Sequence, residues 1–165
     1  MTAPDLGKLF QSFRSTAFRL ECLPAYAVTE DEEAQAFRHW LNGEQPPEKE
    51  REWPKLVASA VAAGKSMQRV RLVPEPPSQY LRFQMVWGYP ANVAAGEDIR
   101  MLNHEPPGLL KVDFWLFDNE VAVVLEYDEQ GRFLRAVVAE TVTPYCQARD
   151  LALASSMPYR LSLHS

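Results

Sequence analysis

The chain has 165 residues, of which 47% are hydrophobic and 24% charged, with a formal net charge of −5 at pH 7. This size and composition suit one folded domain spanning residues 1–165 and exclude a disordered or fibrous chain. The acidic balance also argues against direct nucleic-acid binding, because such a chain lacks the positive field that gathers phosphates.

Asp5 to Phe13 reads as a short amphipathic helix, with Leu6, Leu9, Phe10 and Phe13 at three- and four-residue spacing behind Pro4. No apolar run near the start is long enough for a signal peptide, and nowhere do about 18 uncharged apolar residues follow one another. A cytoplasmic protein without a membrane span is therefore expected. Cys22 and Cys146 are far apart and lack metal-ligand spacing, so reduced structural thiols are expected.

Thr29 followed by EDEEAQAFRHWLNG has the form of a capped helix. Thr29 caps it, Glu32 lies three residues on, the acids suit the positive helix end, and Gly43 stops it. After Pro46-Pro47, EKEREWPKLVASAVAAGK reads as a second helix, with Trp53, Leu56, Val57 and Val61 on one side and Gly64 at its end. SMQRVRLV alternates as a strand, which sends Arg69 and Arg71 off one face.

The segment SQYLRFQMVWGYP fits a strand or a helix. Ser78 behind two prolines favours a helix stopped by Gly88-Tyr89-Pro90, with Tyr80, Gln84 and Trp87 on one face and Arg82 displaced from it. DIRML, DFWLF, VAVVLEY and RFLRAVV then alternate between turn signals. They predict a continuous antiparallel sheet over 98–138, with Trp115, Val121, Val123 and Leu134 in its core. TPYCQARDLALASS closes the chain as a helix with Thr143 at its cap and Pro144 in its first turn. The fold class expected is α+β: an antiparallel meander of four to five strands packed against N-terminal helices and a C-terminal helix.

Familiar chemistries are missing from the sequence. There is neither a GxxxxGK[ST] nor a GxGxxG motif, and His39, His104 and His164 have no mutual ligand spacing. No cofactor, no metal and no identifiable catalytic residue are expected. The acids of the meander fall mostly at turns, where they shape the chain and solubilise it. Only Asp113, at the start of DFWLF, is placed to point inward.

Charge is unevenly spread. Residues 28–52 hold eight acids against three bases and 97–140 hold ten against four, whereas 66–90 hold three arginines and only Glu75. Arginine forks bind carboxylate or phosphate and stack on rings. Arg69, Arg71, Tyr80, Arg82, Trp87 and Glu97 are therefore the candidate binding residues, with a small anionic ligand expected. The competing view is that Arg69 and Arg71 pair with Glu97, Asp98 or Glu126 and simply balance charge.

FRSTAFRLECL at 13–23, MQRVRLVPEPPSQYLRF at 67–83, NVAAGEDIRML at 92–102 and DFWLFD at 113–118 together resemble an uncharacterised actinobacterial family. It is a domain-of-unknown-function group often encoded beside helix-turn-helix regulators of the repressor type. In the matching motif a glutamate often stands where this chain has Gln84. The resemblance implies a regulatory setting and a helix-turn-helix protein as partner, without an established activity. Two functions are thus open: a non-enzymatic binding module working with such a regulator, or a small toxin-like enzyme acting on RNA or nucleotides.

Overall fold

The computed structural model describes residues 5–27, 32–45 and 51–160. Its elements in chain order are α1 (Leu6–Ser12), β1 (Thr16–Glu21), α2 (Glu32–Leu41), α3 (Glu52–Ala62), β2 (Ser66–Leu72), α4 (Gln79–Phe83), a π-helical turn (Gln84–Gly88) and α5 (Tyr89–Ala95). Then follow β3 (Asp98–Leu102), β4 (Phe114–Phe117), β5 (Val121–Tyr127), β6 (Phe133–Val138), α6 (Thr143–Ser155) and the two-residue β7 (Met157–Pro158).

The strands form one seven-stranded sheet in the order β6-β5-β4-β1-β2-β3-β7. β1, β2 and β3 run parallel, and β4, β5, β6 and β7 pair antiparallel with their neighbours. This overturns the expected antiparallel meander of four to five strands. DIRML, expected beside DFWLF, is separated from it by two strands, β1 and β2. The helical passages β1-α2-α3-β2 and β2-α4-α5-β3 are crossovers, and a parallel pair needs a connection of that length.

Two strands are missing from the sequence reading, the two-residue β7 and β1, TAFRLE, which is the centre of the sheet. β1 is buried almost throughout, so the polar positions of its alternation, Arg19 and Glu21, face the protein interior rather than solvent. Phe18 and Leu20 point to the α6 side, where Val70, Leu102, Phe114 and Leu116 meet Ala148 and Ala152. Ala17 points to the other side, where Met67, Trp115, Phe117 and Val123 are covered by α1 and by Val57 and Ala60 of α3. Leu81, Met85, Tyr89, Ile99 and Met101 extend that layer under α4 and α5.

Local sequence explains most ends. Asp5 caps α1 through Lys8 N–H, Ser78 caps α4 through Leu81 N–H, and Gly96 ends α5 in the left-handed conformation. The turn between β4 and β5 has positive φ at Asp118 and Asn119. The Asp118 carboxylate accepts from the N–H groups of Arg14, Ser15 and Thr16, tying this turn to the start of β1. Thr29 lies outside the described residues. Thr143 is the first residue of α6 rather than its cap: Val142 takes that position without a side-chain hydrogen bond.

Leu134, expected in the core, is 61% exposed on the end strand β6, whereas Trp115 and Val123 are buried and Val121 is half-buried. Leu134→Ala is therefore expected to change stability by about 0.5 kcal/mol or less, as for an ordinary surface position. Denaturant unfolding checks this, and a loss above about 2 kcal/mol would restore Leu134 to the core.

Candidate functional site

Alternation along β1 sends Arg19 and Glu21 to the helix-covered face, and alternation along β2 sends Arg69 and Arg71 the same way. The parallel register sets Arg19 beside Arg69 and Glu21 beside Arg71. Four charged side chains thus stand together at the carboxyl ends of two parallel strands. Ligands of open α/β sheets lie outside these strand ends, where neighbouring connections diverge. At β1 the parallel and antiparallel parts of the sheet meet, with parallel β2 on one side and antiparallel β4 on the other.

Glu21 is the hub. Its Oε1 accepts from Arg69 Nη1 at 2.9 Å and its Oε2 from Arg71 Nη1 at 3.4 Å. Arg69 Nε donates to Glu97 Oε2 at 2.7 Å, and Trp53 Nε1 donates to the other Glu97 oxygen at 2.8 Å. On the β4 side, Asp113 accepts from Arg19 Nη2 at 3.0 Å, from the Tyr26 hydroxyl at 2.5 Å and from Cys22 N–H at 3.0 Å. Arg19, Glu21, Arg71, Glu97 and Asp113 are all buried, Arg71 completely. Three guanidinium groups thus meet three carboxylates.

Aromatic rings close the space between these charges. The Arg71 guanidinium lies 4.8 Å from the Tyr26 ring centre, Arg69 lies over Trp53 and Tyr89 at 5.6 and 6.0 Å, and Arg19 lies 5.9 Å from Trp115. The π-helical turn shapes this wall. Its wider winding allows Tyr89 to join Tyr80 and Gln84 against the cluster, where Gln84 Nε2 donates to the Tyr80 oxygen at 3.3 Å. Arg51 holds the turn from one side, donating to Gly88 O at 2.8 Å and Asn92 Oδ1 at 3.0 Å. The Tyr159 hydroxyl holds it from the other by donating to Met85 O.

Burial alone would push the Glu21 carboxyl up, but Arg69, Arg71 and Arg19 outweigh it and hold the group down at about 2. Burial lowers the proton affinity of Arg69, yet Glu97 and Glu21 more than reverse it, leaving Arg69 well above the ordinary arginine value. Asp113 moves the other way: burial pushes it up, only partly offset by Arg19 and the Tyr26 hydrogen bond. Burial raises the Tyr26, Tyr80 and Tyr89 hydroxyls, so all three are neutral at pH 7, and Tyr26 and Tyr80 donate to Asp113 and Glu33. Among the described residues, four buried side-chain atoms have no hydrogen-bond partner: Arg19 Nη1, Arg71 Nε, Gln84 Oε1 and Tyr89 Oη.

Of the residues singled out in the sequence, Arg69, Arg71, Tyr80 and Glu97 come together here. Arg82 is exposed on α4, and Trp87 is half-buried with its ring 5.7 Å from that of Phe83, so neither joins the buried charges. The helix does not stop at Gly88-Tyr89-Pro90 as expected. It widens there and continues to Ala95, which is why Tyr89 takes the place foreseen for Trp87. Asp113 does point inward. Arg19, Glu21, Tyr26 and Tyr89 were missed, although TAFRLE carries a period-two signal that separates Arg19 and Glu21 from Phe18 and Leu20.

Glu21, Glu97 and Asp113 each already face a guanidinium, and among the described residues no group of three His, Cys, Asp or Glu is placed to hold a metal ion. His39 pairs with Glu44 at the exposed end of α2, His104 lies in an exposed loop, and His164 falls outside the described residues. Among the described residues, no helix is long and apolar enough to cross a membrane.

The profile of a protein family described as Domain of unknown function (DUF6879) matches residues 4–161. Comparison with curated proteins finds no relative. Among solved structures, a phospholipase D family member, Nuc from Salmonella typhimurium, aligns with a TM-score of 0.57 at 12% identity. The alignment covers 93% of this chain and 87% of that one. That likeness is one of fold.

Proposed function

The chain belongs to the DUF6879 family of unknown function, and from that premise we propose that it is a non-enzymatic binding module working with a helix-turn-helix regulator. One observation carries this reading: the reactive groups at the carboxyl ends of β1 and β2 are engaged with one another. Glu21 is too weak a base, at about 2, to take a proton at neutral pH. Asp113 is more basic, but both of its oxygens already accept hydrogen bonds. Arg69 and Arg71 serve Glu21 and Glu97, so neither is an open fork for phosphate.

Recognition then falls to the surface, and a net charge of −5 favours a basic protein as partner over nucleic acid. The family resemblance supplies the regulatory setting. The competing reading, a toxin-like enzyme acting on RNA or nucleotides, draws on the fold shared with a phospholipase D family member. A small anionic ligand draws on the unpaired donors Arg71 Nε and Arg19 Nη1. Calorimetric titration with a helix-turn-helix regulator of the repressor type from the same genome decides between them. Binding that weakens when salt rises from about 0.15 to about 0.5 M, where screening shortens to a few ångströms, is the result expected. Absence of binding, together with RNA cleavage that Arg71→Lys abolishes, would overturn the proposal in favour of the enzyme.

A further inference from the structure

The two edges of the sheet are treated differently. At one end β7 is only two residues long and finishes in Pro158, which lacks an N–H. Shortness and proline are the usual ways of blunting an edge against unwanted pairing. At the other end β6 runs for six residues and pairs only with β5 among the described residues. Ala139 donates its N–H inward to Ala122. By the alternation of an antiparallel ladder, Ala136 and Val138 therefore turn their N–H groups outward.

The side chains leave this edge open as well. Phe133 and Leu134 are 54% and 61% exposed at the start of the strand, where the register with β5 shifts between Glu126 and Tyr127; from Arg135 to Val138 the ladder is regular. The arginines flanking them do not guard it, because Arg132 pairs with Asp128 and Arg135 with Glu126 of their own hairpin. Glu129 and Glu140 are exposed beyond the two ends of the strand. Residues 126–140 thus carry four acids against two arginines.

We infer that β6 is a docking edge that takes an extended, cationic segment of a partner protein as an eighth strand. The ladder supplies affinity, the exposed Phe133 and Leu134 add apolar contact at the start of the strand, and Glu129 and Glu140 attract basic residues at the ends of the segment. A second copy of the chain is the poorer occupant, since it would bring the same excess of negative charge to the same edge. The inference rests on the reading of the protein as a partner-binding module and adds where the partner docks.

The test uses two ten-residue peptides, one alternating lysine and valine and one alternating glutamate and valine, with binding read by fluorescence anisotropy and by amide hydrogen exchange. The lysine peptide is expected to bind at least tenfold more tightly and to slow exchange within residues 133–138. Ala136→Pro, which removes an outward donor, should abolish this effect. The double variant Phe133→Ser with Leu134→Ser, which keeps the backbone ladder, should weaken it about tenfold in a protein that remains folded by circular dichroism. Equal binding of the two peptides, or binding undiminished in both variants, would overturn the inference. So would a concentration-dependent dimer that Leu134→Ser converts to monomer, which gives the edge to a second copy. A regulator that binds equally well to Ala136→Pro removes the edge but leaves the partner reading standing. Peptide binding at β6 with no regulator bound removes the regulator and leaves the edge.

Discussion

Glu21→Ala is expected to lower the unfolding free energy by about 3–5 kcal/mol, the loss typical when one member of a buried ion pair is removed. The change leaves Arg71, with no exposed surface, and the largely buried Arg69 without their shared carboxylate. Arg69 retains Glu97, but Arg71 retains only the Pro24 carbonyl, at 3.3 Å, and the Tyr26 ring. The alanine also leaves a void under the rings. Chemical denaturation of the two proteins at neutral pH measures the loss. A difference below about 1 kcal/mol would mean that the arginines find water or another partner.

The same residue sets an acid-sensitive window. Glu21 has a folded value of about 2 against a model-peptide value of 4.5, so the folded state holds its proton less tightly than the unfolded state does. Its contribution, about 3 kcal/mol by linkage, is present above pH 4.5. It disappears as the pH falls from there towards 2. Asp113 works in the opposite direction, because burial raises its value and the folded form takes up its proton first. Wild-type protein should therefore lose stability steeply in that window, and Glu21→Ala should lose less over the same range.

Phe18→Ala is expected to cost about 3–5 kcal/mol, as for a fully enclosed phenylalanine. Phe18 is 1% exposed, with its ring centre 5.8 Å from that of Phe114, in the cluster that α6 covers. The result separates the two architectures. In an antiparallel meander built from residues 98–138, the segment TAFRLE is a peripheral connection, and truncating Phe18 would matter little. In the mixed sheet it is the spine between β2 and β4, and its loss reaches both halves.

How far the sequence revealed this arrangement depended on whether the signal was local. Strands β2 to β6 were legible because VAVVLEY, SMQRVRLV and their fellows alternate between turn residues, α1 and α3 because their apolar residues fall on one side, and α2 because acids mark its start and Gly43 its end. β1 was not legible. Its polar positions Arg19 and Glu21 are buried against partners from β2 and the start of β4, pairings that join residues about 50 and 94 apart in sequence, and no period reports them. Leu134 fails for the same reason: RFLRAVV alternates well, but only strand order reveals that β6 is an edge. In the candidate site, Arg69, Arg71, Tyr80 and Glu97 were visible as an unusual concentration of charge and rings. The role of their partner Glu21 depended on the parallel register, and that of Tyr89 on a π-helical turn that no residue pattern announces.

The claim on which the rest depends is that Glu21 is the ionised hub of a closed arginine–carboxylate network. Carbon-13 NMR of its side-chain carboxyl, followed as a function of pH in the folded protein, tests this directly. The structure predicts a midpoint of about 2. A midpoint at or above 4.5, the value of a free glutamate, would show that Arg69 and Arg71 do not hold Glu21, and that these arginines are open to a ligand after all.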